Sequence, residues 1–241
     1  MGSTAPLLSP PLPRRTRWGI ALLIFIAVTS VIGLVAWSLW HSDPAYWQTH
    51  QTRQQPISQA DLTNTAVRLE ALVNHQVTHL TGPGASPQRQ VSLPLTQANA
   101  WLTTQLPRWL DSMGLALPEE VQRPMLAVQG DRLVLAFQLQ SPWLNRVVSV
   151  FLRPWVDASG QAHVQLDSVH VGQLPIPLKV IDGQLPQTLG NMSLSQITAW
   201  IQGQAFDPVY PIDPTRQVRV IGVSLQPDQL LIDIEVQPRP R

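Results

Sequence analysis

The chain has no cysteine among its 241 residues. That excludes a disulfide framework, thiol catalysis and a lipoprotein signal, which needs a cysteine to acylate. Charge is sparse too, with Asp, Glu, Lys and Arg at 13%. All 15 acidic residues lie beyond position 40, whereas three of the 16 basic ones, Arg14, Arg15 and Arg17, precede it. Beyond residue 40 there are 13 basic against 15 acidic side chains, a net charge of −2. Nucleic-acid binding needs a concentrated basic face, so no nucleic acid is expected as a partner. Strong electrostatic docking on anionic lipid is not expected either.

A catalytic constellation is also missing. Gly222-Val223-Ser224-Leu225-Gln226 lacks the final glycine of a nucleophile elbow and falls within a strand pattern. Glu119 and Glu120 are adjacent in a Pro-flanked loop, so their carboxylates do not face each other. There is no glycine-rich phosphate loop. His75 and His79 have the i, i+4 spacing that grips a metal on a helix, but they lie opposite the apolar face and lack a third ligand. His163 and His170 flank Asp167 with opposite parity, which puts the rings on different strand faces unless a bulge realigns them. Asn191-Met192-Ser193 is a glycosylation sequon, meaningful only in a eukaryotic secretory context. No catalytic, metal or cofactor residue is assigned, no cofactor is expected, and a metal or hydrolytic enzyme ranks third among the functional readings.

What is present is one long apolar run. Trp18 to Trp40 is 23 residues without a charge. As a helix it reaches about 34 Å, enough for a hydrocarbon core of roughly 30 Å. Trp18, Trp37 and Trp40 mark its ends as interface residues, and Arg14, Arg15 and Arg17 act as topology determinants. The run predicts a single-pass helix in the cell (inner or plasma) membrane, N-terminus cytoplasmic and the rest extracytoplasmic, with the lipid bilayer as partner. A cleaved signal peptide is the rival reading. It wants an apolar core of about 7 to 15 residues and a small-x-small site, and Ala36-Trp37-Ser38 puts a bulky ring in that site. The expected organisation is a disordered tail over 1–17, a transmembrane helix over 18–40, a stalk over 41–57 and an α+β domain over 58–241. Pro44 and Pro56 break the Gln-rich stalk, and Tyr46 and Trp47 are placed on the outer membrane interface.

Past residue 58 the patterns are regular. Ser58 with Asp61 signals a helix start, and Leu62, Ala66, Leu69, Val73, Val77 and Leu80 follow at helical spacing over 59–80. A short strand is predicted at 89–95. Thr96 is read as the cap of a helix to about Leu110, kinked at Pro107. Hairpins are predicted over 125–140 around Gly130-Asp131, over 147–171 around Asp157 to Gly160, and over 218–237 around Pro227-Asp228. In the second strand of the first, Leu133, Leu135, Phe137 and Leu139 read as the buried face and Val134, Ala136, Gln138 and Gln140 as the more polar one. A phase shift near Asp167-Ser168 predicts a bulge. Residues 178–190 read as a short interrupted helix, and Ser195 to Phe206 as another.

Two stretches echo each other. Leu95 to Leu102 (LTQANAWL) matches Leu194 to Ile201 (LSQITAWI), and Asp131 to Gln140 matches Asp228 to Gln237. The near-constant offset predicts a helix-plus-hairpin unit used twice, over 95–140 and 194–237. The alternative is chance recurrence of capped helices and turn-strand patterns.

LTQANAWL, the segment Val169 to Pro177 (VHVGQLPIP) and the last hairpin together resemble the YpmS-like family of bacterial single-pass membrane proteins. Asn99 matches the family's Asn. The resemblance implies distant similarity to tubular lipid-binding modules, in which a curled antiparallel sheet wraps a long helix around an apolar groove.

The expected fold class is therefore α+β: an N-terminal transmembrane helix, then an antiparallel, curled sheet packed against amphipathic helices. Trp101, Trp109 and Trp200 are read as core aromatics. Trp143 and Trp155 follow prolines at strand ends and, with Trp101 and Trp109, are the candidate apolar-ligand or partner contacts. Two functions follow. One is a non-enzymatic interaction or structural protein of the cell envelope, contacting envelope proteins or lipids. The other is carriage of a lipid-like apolar ligand, with the helices at 59–80 and 96–110 closing over the sheet.

Overall fold

A computed structural model of the chain describes residues 14–54, 57–79, 88–112, 114, 116–142, 145–177, 188–189, 192–193, 203–212 and 215–239. The chain divides into two units, Met1–Ser42 and Asp43–Arg241.

The first unit holds helix α1, Arg14–His41. Its last turn is closed by side chains. The His41 ring, through Nδ1, lies 2.8 Å from the Trp37 carbonyl and stacks on the Trp37 ring at 4.2 Å, while Ser42 Oγ donates to the Ser38 carbonyl. These contacts satisfy carbonyls that a helix end leaves without partners. The expected membrane span is corrected here: among the described residues no helix is long and apolar enough to cross a membrane. The expected single-pass membrane localisation falls with it.

The second unit runs α2 (Ala45–Gln54), α3 (Gln59–His79), β1 (Gln88–Pro94), α4 (Leu95–Thr104), α5 (Leu106–Ser112), β2 (Val121–Gln129), β3 (Arg132–Gln140), β4 (Asn145–Val156), β5 (Ala162–Val171), β6 (Leu174–Ile176), β7 (Thr188–Leu189), β8 (Met192–Ser193), β9 (Val209–Pro211), β10 (Arg216–Gln226) and β11 (Gln229–Pro238). The expected α+β class with one curled sheet is also corrected. Among the described residues this unit has eleven strands against four helices, and the main strands form two antiparallel sheets, neither closed into a barrel. One has the order β2-β3-β4-β5-β6, the other β1-β11-β10-β9. The hairpins are local and carry their turn signals. What splits them into two sheets is the pairing of β1 with β11, Gln88 to Glu235 through Pro94 to Gln229, which no local pattern reveals. The bulge falls at Asp167, left unpaired between Phe151↔Ser168 and Leu152↔Leu166.

In the five-stranded sheet the buried face is the reverse of the one expected. Val134 and Ala136 are fully buried, while Leu133, Leu135, Phe137 and Leu139 are half-buried. The small residues of β3 leave depth for larger partners, and they cluster with Met125, Val147, Phe151 and Trp47. Trp47 belongs to α2, in the segment read as a stalk. It is 3% exposed within this core rather than at a membrane interface. Next to it Tyr46 donates its phenolic proton to Ser149 Oγ at 2.6 Å and meets Phe151 edge-on at 6.5 Å. Burial raises the Tyr46 pKa and the Ser149 bond partly offsets that.

The helices close the sheet edges. β2 is an edge strand, and an edge presents unpaired backbone groups. Asn99 of α4, 4% exposed, donates through Nδ2 to the Leu126 carbonyl at 2.9 Å and accepts the Leu126 amide at Oδ1. The side-chain amide thus acts as one residue of a missing strand. Gln76 of α3 does half of this at the edge of the other sheet, accepting the Ser92 amide of β1 at 3.2 Å. The rest of β2 is irregular, with Arg123 at φ 51° and a register shift between Gln122 and Met125. The helix over 96–110 breaks at Gln105 into α4 and α5, and Pro107 sits in the first turn of α5, where its missing N–H costs nothing. Thr96 does not cap α4. Pro94 occupies the cap without a side-chain bond, and the Leu95 amide donates to the Asp228 carbonyl at 2.8 Å.

Of the expected repeat, the two hairpins are present, but 194–202 lies outside the described residues. At its end Phe206 pairs with Ala162 as an isolated bridge.

Asn99→Ala strands the Leu126 amide and carbonyl under α4. Each lost partner costs about 1–3 kcal/mol when buried, so urea unfolding should show a loss of about 2–4 kcal/mol at unchanged m value.

Candidate functional site

One concavity lies where three helices meet the edge of the five-stranded sheet. It is a cleft of about 310 Å³. Tyr46, Thr49 and His50 of α2 form one wall, and Leu62 and Thr65 of α3, with Ile57 before it, form a second. Leu95, Thr96, Asn99 and Ala100 of α4 form a third, Met125 to Val128 of β2 the floor, and Pro227 and Asp228 of the β10–β11 turn one end. Small residues make the space: Ala100, Ala127 and three threonines stand where longer side chains would fill it. The geometry depends on the contacts above. Asn99 fixes α4 to β2, the Leu95–Asp228 bond fixes its first turn to the distant hairpin, and Tyr46 and Trp47 fix α2. Ser58 and Asp61 start α3 by a reciprocal cap, Ser58 Oγ donating to Asp61 Oδ2 at 2.7 Å and accepting the Asp61 amide at 3.2 Å. The lining is mainly aliphatic with scattered hydroxyls, chemistry that holds an apolar body and orients a polar end. Asn99 was singled out by its motif and Thr96 by its capping pattern. Tyr46, Thr49 and His50 of α2 were missed, because a Gln-rich polar segment between prolines carries no apolar stripe.

A second groove runs between α3 and α4, about 410 Å³ and open, lined by Leu69, Glu70, Val73, Asn74 and Trp101. Trp101 Nε1 donates to Glu70 Oε1 at 2.9 Å. Trp109 is 49% exposed and meets Trp101 at 6.3 Å with the rings tilted by 60°. The structure thus brings together two of the four tryptophans singled out as contacts. Trp155 is elsewhere, and Trp143 lies outside the described residues.

Trp155 stacks on His163, centroids 4.7 Å apart and planes within 2°. His163 is held on both nitrogens: Nδ1 lies 2.9 Å from the Gly203 carbonyl and Nε2 3.0 Å from Asp157 Oδ2. Both partners accept only, so the imidazolium, with two N–H groups, is the form that satisfies them. The Gly203 carbonyl and then Asp157 raise the His163 pKa above 6.5. Ser159, then His163 and the Gln161 amide, hold the Asp157 carboxyl well below the usual carboxylate range. Gly203 is at φ +78°, and a Cβ there would meet the Trp155 ring at 3.4 Å. His170 is separate. It meets Phe151 at 4.6 Å with the rings tilted by 46°, and burial, then Arg132, lowers its pKa. Asp167 pairs with Arg132 at 3.0 Å and does not bridge the histidines. Gly222 has a packing role: a Cβ there would lie 2.8 Å from Asp233 Oδ2. Among the described residues no group of three His, Cys, Asp or Glu could hold a metal.

No family model matches the chain, and no curated sequence matches it. Among solved structures, one titled "Crystal structure of lipopolysaccharide binding protein" is similar over 74% of this chain and 48% of that one, at 12% identity and a TM-score of 0.26. The chain spans about half of that protein's length. Likeness at this level decides neither fold nor function, which rest on the geometry above.

The His163 clamp makes stability depend on pH in a defined window. A raised histidine pKa contributes stability that is complete below the unfolded value of 6.5 and is lost as pH rises through the folded value. A lowered carboxylate contributes above its ordinary 3.8 and is lost as pH falls toward the folded value. The clamp is therefore complete between about pH 4 and 6.5. NMR titration of the His163 ring should give a midpoint above 6.5, and Asp157→Asn should move it down.

Proposed function

We propose that the unit from Asp43 to Arg241 binds an apolar, chain-like ligand in the cleft between α2, α3, α4 and β2. The observation that carries this reading is the cleft itself, about 310 Å³ walled by Ile57, Leu62, Leu95, Ala100, Met125, Leu126 and Val128. Its size falls at the lower end of the roughly 300–1,000 Å³ typical of small-molecule sites. Among the polar groups in it, the Thr96 hydroxyl and the Asp228 carboxylate can orient a ligand, and Thr49 and Thr65 can only accept, since their protons go to the Ala45 and Asp61 carbonyls at 2.9 and 2.7 Å. Tyr46 Oη is already committed to Ser149, so it serves as wall rather than as ligand donor. The reading agrees with the lipid-binding character that the YpmS-like resemblance implies.

Apolar burial would supply the affinity, and its dependence on chain length is the direct test. Each methylene removed from water is worth up to about 0.8 kcal/mol, so two raise affinity by up to roughly tenfold. In displacement of 1-anilinonaphthalene-8-sulfonate from the full chain, octanoate, decanoate and dodecanoate should compete in rising order. Thr49→Trp places a large ring in the cleft from an exposed helix position, leaves the core intact, and should weaken dodecanoate at least tenfold. Equal competition by all three chains, or wild-type affinity in Thr49→Trp, would refute the reading.

A further inference from the structure

The groove between α3 and α4 shares no lining residue with the cleft, and its chemistry differs. One wall is an indole ring, the floor is aliphatic (Leu69, Val73), and a single carboxylate, Glu70, stands in it. The bond from Trp101 Nε1 to Glu70 does two things. It ties the ring to α3, and it keeps a negative charge at the ring's N–H edge, next to the groove that the indole lines. Trp109, 49% exposed, meets the Trp101 ring at 6.3 Å.

We infer that this groove binds a small organic cation carrying a methylated ammonium group, of the choline type. A cation over an indole face is attracted by the ring's quadrupole, and Trp is the best of the aromatic partners. The carboxylate adds charge of the right sign at the adjoining edge of the ring. The aliphatic floor then selects among cations. A bare ammonium must replace three strong hydrogen bonds on leaving water, and besides Glu70 only Asn74 is polar in the lining. A trimethylammonium group has no N–H to satisfy and packs its methyls against Leu69, Val73 and the indole. A neutral apolar occupant fits worse, because it would take water from the Glu70 carboxylate and offer no charge in return, leaving the indole N–H as a single neutral donor to it.

The test follows the Trp101 indole N–H resonance of the full-length chain during titration with choline chloride at constant ionic strength. The neutral isostere 3,3-dimethylbutan-1-ol and sodium chloride run in parallel. Choline should shift the resonance saturably, and the isostere should bind at least fivefold more weakly. Glu70→Gln keeps an acceptor for the indole N–H while removing the charge, and should weaken choline at least fivefold. Trp101→Leu, followed by calorimetry with choline, should abolish binding. Equal affinity for choline and its isostere, an unchanged Glu70→Gln affinity, or a choline effect no larger than that of sodium chloride would overturn the proposal.

Discussion

The second unit depends on one side-chain amide. Asn99 supplies the donor and acceptor that a neighbouring strand would have given Leu126, and so joins α4 to the edge of the five-stranded sheet. Without it β2 would present an open edge under a helix, where water cannot compensate and a polar group left unpaired is costly. The same helix touches β1 of the other sheet, and its first amide is held by the turn at Asp228. One short helix is thereby tied to both sheets, and the cleft is the space left along that junction.

This explains why the site is lined by such distant segments. α2 enters through Tyr46 and Trp47, which fill the depth over Val134, Ala136 and Ser149. α3 enters through its capped first turns. β2 contributes four consecutive residues, and the final hairpin contributes its turn. Small side chains at Ala100 and Ala127 keep the junction unfilled. A larger residue at either would gain packing and lose the cleft, so emptiness here is a property of residue choice rather than of loose folding.

Local signals were legible and long-range ones were not. The Ser58–Asp61 cap, the turns at Gly130-Asp131 and Asp157 to Gly160, and the bulge at Asp167 each rest on a few neighbouring residues, and each could be read from the chain. The pairing of β1 with β11 could not, because it joins segments some 140 residues apart with no shared pattern. The buried face of β3 was misread because both faces are apolar, and the choice fell to size: Val134 and Ala136 accommodate Trp47 and Phe151, which the leucines could not. Thr96 had the pattern of a cap, but the helix begins one residue earlier, at Leu95, and so takes Thr96 into its first turn. The apolar run at 18–40 read as a membrane span on composition alone. The structure shows no helix among the described residues that is long and apolar enough to cross one. Of the cleft, Asn99 stood out in the sequence, as Trp101 did for the second groove, while the α2 wall did not, because a polar helix anchored by two aromatics has no periodic signature.

The account rests on α4 acting as a surrogate strand at Leu126, and amide hydrogen exchange at that residue tests it most directly. In the native chain the Leu126 amide should exchange as slowly as those of the paired central strands, such as Leu135 on β3. In Asn99→Ala, which removes the acceptor of the Leu126 amide, protection at Leu126 should fall at least tenfold while that at Leu135 falls less. If Leu126 in the native chain exchanges as fast as an open edge, the helix does not close the sheet and the account is wrong.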